Sequence, residues 1–265
     1  MRVTKADIAF ANALADAAGS VIRPYFRAAH GLETKVDASP VTLADREAEA
    51  AMRRLIERAF PDDAIIGEEF GSMPGTSGRA WVLDPIDGTR AFISGRPIFG
   101  TLIALMVDDW PVLGVIDQPI GRERWLGVIG QPTLFNGAPV RTRACPALEG
   151  AAIATTSPHL FSAHEGEHYL ALAAAATGGN MRQGPIYGGD CYNYGCLASG
   201  HLDIVVEAGL KLHDFAALVP VVEGAGGRMC DWAGDPLTAQ SAGDVIAVGD
   251  PARVDDVVEA LACRH

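Results

Sequence analysis

No window of the chain approaches the ~18 consecutive apolar residues that a membrane-spanning helix needs. Residues 1–30 mix Arg2, Lys5 and Asp7 where a signal peptide would place a basic head before an unbroken apolar run. Neither a span nor a leader is expected. Cysteine is sparse: Cys145, Cys191, Cys196, Cys230 and Cys263 are odd in number, scattered and free of any C-x-x-C pair. Reduced thiols in a cytoplasmic protein follow. Positive charge is short as well, with 21 Lys and Arg against 33 Asp and Glu and a formal net charge of −12. With no basic stripe to offset it, that charge repels a nucleic-acid backbone and excludes a long polyanion as partner.

The chain has neither a low-complexity tract nor a long polar linker. Hydrophobic residues at 49% and charged residues at 20% are ordinary globular usage. One domain is expected over residues 1–265, in approximate halves 1–140 and 141–265. Thr4 and Asp7 form a capping-box start, and Ile8, Ala11, Ala15, Ala18 and Ile22 recur at helical spacing up to Pro24. Ser39-Pro40-Val41-Thr42 reads as a turn into a second helix, with Ala44, Ala48, Met52, Leu55, Ile56 and Ala59 on its buried side.

The period then changes. Short apolar runs at 64–66, 81–83, 101–107, 112–116 and 124–128, bounded by Gly, Pro or Asp, predict strands, and Asp108-Asp109-Trp110-Pro111 predicts a hairpin. After Asn136-Gly137 strands are expected at 151–155, 204–207 and 245–248. Helices are expected at 161–177, 192–199, 215–224 and 254–263. This order predicts a layered α/β architecture with mixed sheets and one site shared between the halves. Gly75 to Gly78 lacks a phosphate-loop pattern, and Ser72 to Gly78 reads as a mobile surface segment whose closure over that site the sequence leaves open.

The densest acidic signal is Gly67-Glu68-Glu69 followed by Asp84-Pro85-Ile86-Asp87-Gly88-Thr89. One carboxylate ends a strand, and two more sit three residues apart at the end of the next. Pro85 keeps Asp84 out of helical torsions and Gly88 permits a sharp turn, so both Asp side chains face one point. Converging carboxylates without Cys or His favour a hard cation, Mg²⁺ over Zn²⁺. A helix starting at Gly88-Thr89 would offer free N–H groups to a phosphate beside the metal.

These residues carry a resemblance. G-E-E at 67–69, W-V-L-D-P-I-D-G-T at 81–89 and L-H-D-F-A-A-L at 212–218 resemble the inositol monophosphatase family over nearly the whole chain. The resemblance implies that family's α-β-α-β-α sandwich and a single catalytic domain hydrolysing a phosphate monoester with two or three Mg²⁺ ions. It implies metal ligands at Glu68, Asp84, Asp87, Asp214 and the carbonyl of Ile86. It also pairs Asp45 with Thr89 to orient the attacking water, places the phosphate near Asp87, Gly88, Thr89 and Asp214, and implies a homodimer.

Two positions depart from the commonest pattern: His213 stands where Trp usually precedes the last Asp, and Ala91 where Asn is usual. With residues 87–105, V-L-G-V-I-D-Q-P at 112–119 and G-G-D-C-Y-N-Y at 188–194, they resemble the histidinol-phosphate phosphatase branch. The substrate implied is L-histidinol phosphate. Asp190 and Glu207 fall where the family contacts the organic part of its substrate, and acidic groups suit a cationic alcohol. Asp190 reads equally as a helix N-cap, and Arg182 as a substrate contact or an ordinary surface residue.

Rival patterns are weaker. His164-Glu165-Gly166-Glu167-His168 is a literal H-E-x-x-H, the helix motif of zinc proteases, but Gly166 weakens the helix and no third ligand follows. Gly224-Ala225-Gly226-Gly227 follows a helix, so it reads as a helix-ending turn and not as a nucleotide loop. A non-catalytic binding protein on the same fold is the remaining class, against which the intact acidic positions argue.

Overall fold

The computed structural model describes residues 3–28, the backbone of 32–34 and 40–42, and residues 43–178 and 184–262. Ser39, Arg182, Cys263 and the side chain of Thr42 lie outside the described residues. Helix α1 (Lys5–Tyr25) opens with the expected box: Asp7 N–H donates to the Thr4 hydroxyl and Thr4 N–H to the Asp7 carboxylate. It runs through Pro24 to Tyr25, one residue past the expected stop. A short hairpin, β1 (Leu32–Thr34) with β2 (Pro40–Thr42), leads into α2 (Leu43–Ala59).

The larger sheet follows: β3 (Ala64–Gly67), β4 (Gly71–Met73), β5 (Arg79–Asp87), the one-turn helix α3 (Thr89–Ile93), β6 (Gly100–Val107), β7 (Trp110–Gln118), β8 (Glu123–Val128), β9 (Leu134–Phe135) and β10 (Ala138–Pro139). Its eight strands run in the order β10-β9-β8-β7-β6-β5-β3-β4. Only β3 and β5 pair in parallel. The hairpin expected at Asp108-Asp109 joins β6 to β7 with both residues at positive φ, 49° and 67°, which matches the twist of the strands it connects.

The second sheet is built from β11 (Ile153–Thr155), helix α4 (Ala163–Thr177), β12 (Ile186–Tyr187), α5 (Cys191–Ala198), β13 (Ile204–Glu207), α6 (Leu212–Phe215), α7 (Leu218–Gly224), β14 (Arg228–Cys230), β15 (Val245–Val248) and α8 (Val254–Leu261). Its strand order is β12-β11-β13-β15-β14. The helix expected over 215–224 begins at Leu218, and a separate helical turn, α6, precedes it at Leu212–Phe215. Pro220 has no N–H to bond the carbonyl of Ala216 and cannot extend a continuous helix across this segment. Gly226 and Gly227 donate back to the carbonyls of Glu223 and Val222, so the glycine run is the expected helix-ending turn.

Alternation along the strands sorts the core into layers. On β6, Ile103 and Leu105 point to the α1–α2 side with Ala11, Leu14 and Met52, while Leu102, Ala104 and Met106 join Tyr194, Val221 and Val222 of α5 and α7. On β13, Val205 meets that same middle layer, whereas Ile204 and Val206 pack with Tyr169, Leu172 and Leu261 of α4 and α8. The result is the α-β-α-β-α sandwich. The middle layer sits close to the large sheet because Gly114 and Gly127 lack side chains: a Cβ there would lie 1.9 Å from the Ala217 carbonyl oxygen and 2.2 Å from that of Pro220. That approach fixes where α6 delivers Asp214. Among the described residues, no helix is long and apolar enough to cross a membrane.

Candidate active site

Parallel pairing of β3 with β5 brings their C-terminal ends to one edge, with Gly67 opposite Leu83. Glu68 leaves β3 there, its N–H still bonded to the Leu83 carbonyl at 3.1 Å. Asp84 and Asp87 end β5 across an irregularity: the ladder to β6 pairs Asp84 with Leu102 and resumes at Asp87 with Gly100. The intervening Pro85 has no N–H to contribute to the ladder, and its carbonyl instead accepts the Thr101 hydroxyl at 2.7 Å. Strand geometry thus continues through 84–87, further than the expected end at 83, and the bulge turns both Asp side chains to one place. Asp84 also accepts the N–H of Ile86 at 3.1 Å.

Asp84, Asp87 and Asp214 offer carboxylate oxygens that lie within 4.8 Å of one another. Asp45, Glu68 and Glu69 form a second such triad. The two adjoin electrically. Burial pushes Asp84 well above the ordinary carboxylate range, and the charges of Glu68, Asp87, Asp214 and Asp45 add to it. Burial and the charges of Asp190 and Asp214 do the same to Asp87, against the Cys191 N–H that it accepts at 2.6 Å. Asp214 is raised by burial, opposed by His213, and accepts the Lys211 N–H at 2.7 Å. Such a cluster is costly without positive charge. An all-oxygen donor set at this density fits a hard divalent cation, and the residues present could hold one in each triad. Glu69 belongs to this set although the metal assignment stopped at Glu68.

A cavity of about 500 Å³ opens beside the triads, lined among others by Glu68, Gly88, Thr89, Arg90, Arg96 and Asp190. A smaller one of about 70 Å³ adjoins it, with Asp87, Asp190, Glu207 and Asp214 in its wall. Gly88 has φ 86° and its Cα approaches Asp190 so closely that a Cβ would sit 2.9 Å from Oδ2. α3 opens there as a single turn, and the Thr89 hydroxyl donates to the Ile86 carbonyl at 3.1 Å. Asp190 occupies the N-cap position of α5, but its side chain makes no capping bond, and its φ of 43° is unusual for a non-glycine residue. Burial and Asp214 push its carboxyl up to about 6, while Arg90 and Arg96 pull the other way.

Glu207 is buried at the end of β13, where it accepts the Thr156 N–H at 2.6 Å and the Thr155 hydroxyl at 3.1 Å. Burial raises it to about 7 against those bonds. Arg90, Arg96, Thr155 and Thr156 were not singled out from the sequence, because a residue's role in a wall built from four separate segments leaves no local pattern.

Another residue did leave one. Glu49 follows Asp45 by one helical turn on the apolar face of α2, and it is fully buried. Its carboxylate accepts the N–H groups of Glu69 at 2.7 Å and Phe70 at 3.2 Å and the Arg53 guanidinium at 2.7 Å, while Arg53 also reaches the Gly71 carbonyl. A buried acid on an apolar helix face was the available signal. The Ser72–Gly78 segment, expected to be mobile, begins in β4 and is then pinned at the far end of β3. Thr76 and Ser77 N–H groups donate to the Asp62 carbonyl, the Ser77 hydroxyl to Asp63, and a Cβ on Gly75 would strike the Ala64 nitrogen at 2.2 Å.

A layered α/β fold that gathers two carboxylate triads at a sheet edge beside a cavity of small-molecule size defines a metal-dependent phosphoric monoester hydrolase. The chain belongs to the inositol monophosphatase family, whose model matches residues 4–263. It is 49% identical over 241 residues to the bifunctional phosphatase IMPL2, chloroplastic, of Arabidopsis thaliana, covering 90% of this chain and 68% of that protein. It is 38% identical over 232 residues to a histidinol-phosphatase of Chlorobaculum parvum, covering 86% of each. An inositol monophosphatase from Zymomonas mobilis superimposes with a TM-score of 0.88 at 52% identity over 98% of both chains.

Proposed function

We propose that this phosphatase hydrolyses L-histidinol phosphate to L-histidinol and phosphate, using Mg²⁺. The observation that carries the substrate is the acidic wall: Asp190 and Glu207 share one cavity with Asp87 and Asp214. Histidinol presents an amine and an imidazole, and carboxylates beside the phosphate site hold such a cationic alcohol better than a neutral polyol. The histidinol-phosphatase relative supports the same reading.

Asp84, Asp87 and Asp214 with the Ile86 carbonyl would hold one metal position, and Glu68 with Glu69 the other. Bound metal supplies Lewis-acid charge that lowers the pKa of an attacking water and neutralises the phosphoryl oxygens. Asp45 and Thr89 orient that water for in-line attack, Asp45 accepting its proton. The Thr89 hydroxyl, already donating to Ile86, offers lone pairs to it. N–H groups opening α3 hold the phosphate, and Asp190 and Glu207 orient the amino alcohol that leaves. No covalent phosphoenzyme is required.

Inositol monophosphate is the second reading, favoured by the Zymomonas mobilis neighbour and by Arg90 and Arg96, which offset part of the wall's charge. Phosphate release from histidinol phosphate, inositol monophosphate and an adenosine bisphosphate, each with and without Mg²⁺, tests both. The highest kcat/KM is expected for histidinol phosphate with Mg²⁺; a higher value for inositol monophosphate rejects the first reading.

A further inference from the structure

The H-E-x-x-H segment takes no part in the phosphatase site: none of the residues lining the two acidic cavities belongs to α4. Nor does it form a zinc-protease site. The Glu165 carboxylate accepts the Ser162 N–H at 2.6 Å while the Ser162 hydroxyl accepts the Glu165 N–H, so the acid is spent on capping α4. What the motif does place together is its two imidazoles. One helical turn apart, His168 Nε2 lies 3.0 Å from His164 Nε2 and 3.3 Å from His164 Nδ1, with the rings perpendicular.

The other nitrogen of His168 is committed. Its Nδ1 meets the carbonyl oxygen of Leu261 at the C-terminal end of α8. A carbonyl only accepts, so Nδ1 carries the proton and Nε2 is left with its lone pair facing His164. An N–H to backbone-carbonyl bond behind a free imidazole nitrogen is the outer support that metal-ligating histidines ordinarily have. Zn–N bonds of about 2.0–2.1 Å in tetrahedral geometry set two ligand nitrogens roughly 3.4 Å apart. His168 Nε2 lies almost equally far from both His164 nitrogens, so chelation requires the exposed His164 ring to rotate and turn one nitrogen toward the shared point, with a small opening of the pair.

We propose that His164 and His168 form a second metal site, a bis-imidazole chelate for a late first-row divalent cation such as Zn²⁺, Ni²⁺ or Cu²⁺. Nitrogen donors select against Mg²⁺, so this site and the acidic centre take different ions. Two protein ligands leave coordination positions open to water, which makes the site exchangeable. Through the Leu261 carbonyl, a bound ion ties the first turn of α4 to the end of α8.

The test is Zn²⁺ titration of the untagged enzyme with Mg²⁺ kept saturating, followed by calorimetry and by the histidine ring resonances in NMR. One Zn²⁺ equivalent is expected to shift the His164 and His168 signals and raise the Tm. His164→Ala, at an exposed position that leaves the fold intact, should weaken that equivalent about 10-fold or more and abolish the Tm rise, with Mg²⁺-dependent turnover unchanged. A variant ending at Ala262, which removes Cys263 and His265, should retain it. Undiminished Zn²⁺ affinity in His164→Ala overturns the proposal. So does loss of the equivalent in the shortened variant or in Asp84→Asn with His164 and His168 intact.

Discussion

The Glu49 carboxylate accepts the backbone N–H of Glu69 at 2.7 Å. A residue of α2 thereby holds the loop that presents Glu68 and Glu69 to the acidic centre. The same carboxylate closes over Gly67, where a Cβ would lie 1.9 Å from Oε1. Glu49→Gln keeps the shape but turns one acceptor into a donor facing an N–H or the Arg53 guanidinium, leaving a buried group unpaired at a cost of about 1–3 kcal/mol. The Mg²⁺ concentration for half-maximal activity should rise about 10-fold, with a smaller change in substrate KM. Gly67→Ala, which pushes on the same clamp from the strand side, should reproduce the effect. Mg²⁺ titration by calorimetry checks both, and unchanged Mg²⁺ affinity in the two variants would reject the clamp's role.

Asp87→Asn separates catalysis from folding. Its amide oxygen can still accept the Cys191 N–H, while the charge that repels Asp84, Asp190 and Asp214 is gone. Turnover should fall by more than about 100-fold, since the change removes charge from the metal centre. Stability without divalent ions should hold or increase, and the Mg²⁺-induced rise in Tm should shrink. Activity within a few-fold of the unsubstituted enzyme would contradict the placement of metal there.

Much of this centre was legible because its two densest acidic motifs, at Glu68 and at Asp84 to Asp87, sit at strand ends, where local pattern and site coincide. The Asp-Pro-Ile-Asp spacing gave the convergence of Asp84 and Asp87, although the bulge that produces it depends on β6 pairing across the Pro85 gap. Less local features were hidden. The break between α6 and α7 hinges on one missing N–H at Pro220, and the path of 72–78 on carbonyls at Asp62 that no periodicity reveals. Glu49 shows the intermediate case: its burial was readable from the helix face, but not its partner loop.

Asp190→Asn tests the substrate. At its raised value of about 6 the Asp190 carboxyl is mostly ionised at pH 7, and it is the ionised form that attracts a cationic alcohol. The variant should lose about 10- to 100-fold in kcat/KM on histidinol phosphate, the range of a charge-assisted hydrogen bond, and much less on inositol monophosphate. An equal loss on both substrates would remove Asp190 from substrate choice.

Glu207 makes the complementary stability prediction. Burial raises its carboxyl from 4.5 to about 7, so between those values the folded metal-free protein holds a proton that the unfolded chain has released. More protons bound to the folded state means that stability falls as pH rises through this window and levels off above 7. The full shift corresponds to a penalty on the order of 3 kcal/mol. Glu207→Gln stays neutral, can still accept the Thr156 N–H and avoids that penalty. Its Tm without metal should match the unsubstituted protein at pH 5 and exceed it at pH 8, while histidinol phosphate turnover declines. Thermal unfolding at the two pH values decides the matter: a variant less stable at pH 8 than the unsubstituted enzyme would mean that the Thr155 and Thr156 bonds outweigh burial and that Glu207 is held there for the fold alone.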